Sequence, residues 1–304
     1  MSKFDIKLFL KGMGMGAADV VPGVSGGTIA FITGIYDKLI LSINSFDPEA
    51  FKLFFTGKFK EFLIKTNFLF LLTILGGILT SVFSLAKLIS YLLKNYPVQI
   101  WSFFFGLVLA SMYIVLKEVS KWRVSTVLAF IFGTLGAFFL VGMIPVTTPS
   151  AWWFTFLSGF IAISAMILPG ISGSFMLVLL SQYERILTAV HTFKISVLLM
   201  FSAGAGAGII AFSKILGYFL KYYRDVTMAV LSGFMLGSLR KVWPWKKILE
   251  VKIIKGKTIP VQAENVLPSH FDHQTALALF LFFLGILIIV IMEFTEGKVK
   301  KNER

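Results

Sequence analysis

The chain of 304 residues is 57% hydrophobic and 14% charged, with a mean hydropathy of +0.86. Soluble domains carry about 25% charged residues, so composition excludes a single water-soluble domain and points to a polytopic membrane protein. The formal net charge of +14 lies mostly beside apolar spans; the positive-inside rule and anionic lipid account for it, and no nucleic-acid motif accompanies it. With no cysteine and only His191, His270 and His273, thiol chemistry is excluded and neither a metal site nor a cofactor is expected.

In chain order, residues 4–20 are apolar with scattered Lys and the run Gly12-Met13-Gly14-Met15-Gly16. This stretch reads as part of the membrane body, not as a cleavable signal. Val21-Pro22-Gly23-Val24-Ser25-Gly26-Gly27 then interrupts it. Pro has no amide donor and Gly adopts conformations other residues avoid, so Pro22-Gly23 breaks the helix and leaves amides free beside a Ser hydroxyl. A second apolar segment, 25–43, completes a broken hairpin expected to be re-entrant, and carries Tyr36-Asp37-Lys38. Residues 45–66 read as a polar linker. Spans follow at 67–93, 98–116 and 124–143, joined by the turn Asn95-Tyr96-Pro97 and the basic loop from Lys117 to Arg123.

The second half replays this order. Leu168-Pro169-Gly170-Ile171-Ser172-Gly173-Ser174 lies 147 residues after the first motif, flanked by apolar segments 151–167 and 171–187, and Tyr183-Glu184-Arg185 follows it. Spans are expected at 196–220, 226–239 and 275–293. An offset of 127 places Gly204 on Gly77, Lys214 on Lys87, Tyr218 on Tyr91, Lys221 on Lys94 and Gly233 on Gly106. The offset shrinks because the second half lacks most of the 45–66 linker. Residues 240–274 are a polar, basic insert with a small hairpin expected in 250–262.

The expected architecture is therefore an all-α membrane domain of two repeats, 1–147 and 148–304, each a broken hairpin plus three spans. A hairpin returns to its starting side and three spans do not, so the second repeat is expected upside down. Inverted repeats with paired broken helices mark the binding sites of many secondary transporters. In lipid such a break persists only when buried in protein or lining a cavity. With the N-terminus inside, sixteen Lys and Arg fall on inner segments and nine on outer ones, favouring cytoplasmic termini; the basic insert dissents.

Several residues are candidates for function. Lys87 and Lys214 occupy equivalent places within apolar spans, where a cation faces a cavity or snorkels to the interface. Asp19, three residues before Pro22, is a candidate carrier of a coupling ion, H+ or Na+, or a cap on the broken-helix amides; its repeat counterpart is Met166. Lys38 and Arg185 follow the two half-helices and either contact substrate or pair with Asp37 and Glu184. The Gly204-to-Gly208 run reads as close helix packing, since it lacks the strand context and Lys-Ser/Thr of a nucleotide loop.

The paired Pro-Gly-(Val/Ile)-Ser-Gly motifs, the Ala17-Ala18-Asp19-Val20-Val21 lead-in and the Tyr36-Asp37-Lys38 follow-on resemble the bacterial and archaeal polyprenyl-phosphate transporters, over roughly residues 8–294. The resemblance implies a transporter returning undecaprenyl phosphate between leaflets of the plasma membrane, with that lipid and the surrounding membrane lipids as partners and a homo-oligomer left open. For such a substrate, the residues themselves offer a phosphate site at Ser25, Gly26, Gly27 and Thr28 of the first break and Ser172, Gly173 and Ser174 of the second, with cations from Lys38, Arg185, Lys87 and Lys214. Pro22, Gly23, Pro169 and Gly170 then form the breaks, and Tyr36, Asp37, Tyr183 and Glu184 support them. Helix starts suit phosphate because their free amides and dipole point at it. Two alternatives stand beside this reading: an ion-coupled carrier or channel for a small anion, and a lipid-phosphate phosphatase. The phosphatase needs a nucleophile and general acid, and no His lies near either break.

Overall fold

The computed structural model describes residues 5–302 apart from 22, 23, 147, 150, 255, 256 and 269, with the backbone alone at 86, 250–262 and 295–302. The chain is a multi-pass helical membrane protein. It opens with α1 (Ile6–Val20), α2 (Gly26–Ile32) and α3 (Tyr36–Asn44), then the short α4 (Pro48–Phe55) and α5 (Phe59–Lys65). Long helices follow: α6 (Phe68–Asn95), α7 (Pro97–Lys117) and α8 (Val124–Gly142). The second half runs α9 (Trp152–Ile167), α10 (Gly173–Leu179), α11 (Tyr183–His191), α12 (Ile195–Tyr222) and α13 (Arg224–Val242), then strands β1 (Lys246–Ile254) and β2 (Lys257–Asn265), and ends in α14 (His273–Asn302).

Among the described residues, α6, α7, α8, α12 and α14 are long and apolar enough to cross a bilayer. At about 1.5 Å per residue, the 15 residues of α1 and 16 of α9 fall short of the ~30 Å hydrocarbon core. Two expectations need correction, and a third gains detail. Residues 25–43 are not one helix, because α2 and α3 meet at a 115° bend where Gly34 takes a positive φ of 66°; in the second half the helix is interrupted between α10 and α11, where Ser181 takes a φ of 51°. The polar linker at 45–66 folds into two short helices: Asp47 caps α4 through the Ala50 amide at 2.8 Å, and Lys65 bridges Asp47 at 3.0 Å and also Glu49. Phe51, Phe54, Phe55 and Phe59 of this pair are exposed amid Lys52, Lys58 and Lys60, the pattern of an interfacial amphipathic segment. The strands of the insert start four residues before 250–262 and pair antiparallel from Lys246↔Asn265 to Ile254↔Lys257.

Glycine sets the helix spacing, and it does so twice. A Cβ at Gly12 would lie 2.5 Å from Ile74 O, and one at Gly16 would lie 2.5 Å from Ile78 O. In the second half, Gly204 abuts Phe156 O and Gly208 abuts Phe160 O, the latter at 2.5 Å. Residue numbers rise together in both interfaces, so α1 runs parallel to α6 and α9 to α12. At the centre, α7 and α13 run antiparallel: Phe105 meets Trp243 at 5.3 Å, while Glu118 meets Arg224 at the other end. Along α13, Met228, Ala229, Leu231, Met235 and Val242 are at most 1% exposed. A helix so enclosed by protein needs no apolar surface all round, which explains why its sequence reads as a short span.

Gly204→Ala places a methyl against a backbone carbonyl and should lower stability by about 1–3 kcal/mol, as core overpacking does. Gly206, with nothing within 4 Å of its would-be Cβ, should accept Ala without loss. Thermal unfolding of both variants in the same detergent checks the contrast.

Candidate functional site

The two breaks meet. Ser25, 1% exposed, donates through Oγ to Met166 O at 2.9 Å and accepts from Gly27 N at 3.1 Å. Tyr36, 2% exposed, donates its hydroxyl to Ile167 O at 3.1 Å. Gly170 N in turn donates to Thr28 Oγ1 at 3.2 Å. The last carbonyls of a helix have no amides ahead of them, so side chains of the first hairpin cap the end of α9 in the second. Gly170 needs its freedom, with φ of 89° and Met235 and Ser238 where a Cβ would stand. Pro22 and Gly23 lie outside the described residues; Pro169 is buried beside Gly170.

The two half-helices differ in how their first amides are held. In α2, Gly26 N donates to Asp19 Oδ1 at 2.7 Å and Gly27 N to Ser25. Asp19 thus supplies the negative group that the sequence suggested a substrate would bring, and its Oδ2 is buried without a hydrogen-bond partner among the described residues. In α10, Ser172 makes no side-chain cap; its Oγ lies 2.7 Å from Ser174 Oγ. Met166 at the counterpart of Asp19 explains the difference, since a thioether cannot take an amide the way a carboxylate does. Gly173 packs against Ala162 O.

The candidate cations are not gathered at the breaks. Lys38 sits with its Nζ 4.6 Å from the centre of the Phe70 ring, on the wall of a cavity of about 690 Å³ that also carries Lys7, Lys11, Ile29 and Leu8. Lys11 donates to Thr33 O across this cavity. Arg185 has a buried Nη1 with no hydrogen-bond partner among the described residues, while Tyr183 and Glu184 beside it are exposed. Lys87 and Lys214 are both exposed on α6 and α12 and line neither cavity described here, a position from which each amine reaches the interface.

Asp37 does not pair with Lys38. It accepts from Arg224 Nη1 at 2.9 Å, and the same guanidinium reaches Glu118 at 3.2 Å. Lys117 pairs with Glu293 at 3.2 Å. These five groups line a neighbouring cavity of about 210 Å³ with Gly34 and Tyr36, joining α3, α7, α13 and α14 at one end of the molecule. Sequence reasoning counted Arg224 only as a flanking charge. Its signal was a span that begins Tyr-Arg-Asp where the first half has Tyr-Pro-Val.

Lys241 and Lys246 also escaped notice, hidden within a basic insert. Lys241 Nζ lies 4.6 Å from the centre of the Phe175 ring on α10. Lys246 Nζ lies 5.2 Å from that of Trp101 and donates to Lys241 O. Burial, reinforced by the charge of Lys241, pushes the Lys246 amine down to about 8.

A helical membrane protein in which two broken hairpins meet, one capping the other, has the layout of a carrier. The comparisons narrow this class. The profile of the undecaprenyl phosphate translocase-like family matches residues 15–259, and the chain belongs to that family. A polyprenyl-phosphate transporter of Vibrio cholerae serotype O1 is 44% identical over 295 residues, covering 95% of this chain and 96% of the relative. Another protein so named, from Staphylococcus aureus, is 35% identical over 263 residues, covering 80% of this chain and 88% of that one. No solved structure matches the chain.

Tyr36→Phe deletes the donor to Ile167 O and should cost about 1 kcal/mol, the usual net value of a hydrogen bond. A lowered unfolding midpoint in detergent, with unchanged elution on size exclusion, is the expected result.

Proposed function

We propose that this protein carries a polyprenyl monophosphate between the leaflets of the cell membrane, returning the spent lipid carrier of cell-envelope synthesis, and that it is a transporter and not an enzyme. The observation that supports this most directly is the cavity beside the first hairpin. Lys7, Lys11 and Lys38 outnumber the single carboxylate, Asp5, at a wall that also carries Leu8, Leu10, Ile29, Ile35 and Phe70. Ammonium groups over hydrocarbon suit an amphiphile with a phosphate head and an isoprenoid tail, whereas a small inorganic anion has no use for the apolar wall. The family and the names of both relatives agree with this substrate.

In this reading the two repeats, 1–147 and 148–304, are inverted. The parallel pairs α1/α6 and α9/α12, combined with antiparallel α7/α13, support that orientation once consecutive spans alternate in direction. The short α1 and α9 are re-entrant, and the termini are cytoplasmic. Asp19 is the coupling group. Its carboxylate holds Gly26 N, so a substrate anion and an ionised Asp19 compete for one amide, and H+ or Na+ on Asp19 relieves the competition. Ser25, Gly26, Gly27, Thr28, Ser172, Gly173 and Ser174 then form the neck between two cationic ends, with Lys38 on one side and Arg185 on the other.

Reconstituted vesicles test this. Wild-type protein should move a long-chain polyprenyl phosphate and ignore inorganic phosphate; equal handling of both would identify a small-anion carrier instead. Lys38→Ala and Arg185→Ala should each slow transport by about tenfold, the worth of one charge-assisted contact, with insertion intact. Asp19→Asn should abolish the response to an imposed pH or sodium gradient; a response like that of wild type removes Asp19 from coupling.

A further inference from the structure

The Arg224 ion pairs and the Lys7/Lys11/Lys38 cavity share Gly34 and so lie at one end of the molecule. The opposite end of α13, 19 residues or about 28 Å away, carries Lys241 and, just beyond it, Lys246. The contrast between the ends is electrostatic. Arg224 has two carboxylates; among the described residues, Lys241 and Lys246 have no carboxylate within ion-pair distance. Glu264, on the strand beside them, pairs in register with Lys247 and so faces the other side of the two-stranded ribbon.

Two partly buried ammonium groups next to each other repel and are poorly hydrated, and a cation taken from water without a counter-charge is costly. The Phe175 and Trp101 faces offset part of this but add no negative charge. The position is built, not incidental. Met235, Ser238 and Lys241 follow at three-residue spacing along one face of α13. The first two pack on Gly170 of the second break, and the third covers Phe175, directly after Ser174. Lys246 is held by its bond to Lys241 O and by the first rung of the β-ribbon, which Trp243 Nε1 anchors to Val266 O at 2.9 Å. Aromatic side chains flank the pair: Trp101, Phe105, Trp243 and Trp245, with Trp243 5.3 Å from Phe105 and 6.1 Å from Trp245 between ring centres.

We propose that Lys241 and Lys246 form a second headgroup site, which holds the phosphomonoester of the substrate lipid at the opposite end of the transport path from Lys7, Lys11 and Lys38. This rests on the transporter reading above. The anion supplies the counter-charge the lysines lack, and the aromatic rim accommodates the first isoprene units, which free phosphate does not have. The basic insert thereby acquires a role: its first strand delivers one of the two cations.

The test uses full-length protein in lipid nanodiscs, comparing wild type, K38A, and K241Q/K246Q and K241R/K246R made in the K38A background so that the first cavity is already weakened, for binding of a short-chain polyprenyl monophosphate, with inorganic phosphate as competitor. The Gln pair should weaken binding by about tenfold or more, since a hydrogen bond to a charged group is lost at each position, and the Arg pair should retain it. Equal binding by the Gln pair overturns the second site and leaves the transporter reading standing. Failure of wild type to bind the lipid overturns both. Competition by inorganic phosphate at matched concentration overturns the assignment to a lipid headgroup. If the Gln pair does not insert, amine-reactive labelling of wild-type Lys246, read by mass spectrometry, decides: protection by the lipid phosphate supports the site, and unchanged labelling overturns it.

Discussion

Everything in this molecule depends on how two interrupted helices satisfy their backbone inside a bilayer. Hydrocarbon offers no hydrogen bonds, so an unpaired amide or carbonyl at membrane depth costs several kcal/mol. Here the first hairpin supplies the second. Ser25 and Tyr36 of the first hairpin serve the Met166 and Ile167 carbonyls of the second, and Thr28 serves the Gly170 amide. The first break is held from within, by Asp19 on the Gly26 amide and Ser25 on the Gly27 amide, whereas the second borrows side chains from the first. This ties the two halves together, and it explains why small hydroxyl residues sit at a buried point of an apolar protein.

The same contact explains what could be read from sequence. Pro169-Gly170 and its partner announce broken helices because their backbone chemistry is local. The long spans are equally legible, since a lipid-facing helix must be apolar over a whole turn. The glycine pairs were legible too: Gly77 and Gly204 coincide in the repeat, and each packs on a carbonyl of the preceding hairpin helix, Phe9 and Phe156. What sequence could not give was partnership across distance. Asp37 has a lysine next to it in the chain, yet its partner is Arg224, 187 residues away. The bend at Gly34 escaped because a Thr-Gly pair inside an apolar run carries no strong stop signal, and α4 and α5 escaped because their Lys and Phe alternate too quickly to suggest a span.

The distribution of charge follows from where carboxylates are available. Asp37, Glu118 and Glu293 pair with Arg224 and Lys117 beside the Lys7, Lys11 and Lys38 cavity, so the charges of that end are partly matched by the protein's own groups. At the other end the lysines face rings. The two halves thus keep the same glycine packing while the two ends of the molecule differ in the charges they present.

One further asymmetry concerns the edge of the molecule. The α4–α5 pair, with its outward Phe rings and lysines, belongs to the first half alone, because the second half moves from α11 to α12 through only three residues. An amphipathic segment buries its Phe rings just beneath the headgroups while its lysines stay in water. The first hairpin is therefore moored to one bilayer surface, while its twin has no such float. Two halves built alike are in this way registered to a single leaflet, which fixes the vertical position of the whole protein without any contribution from its core.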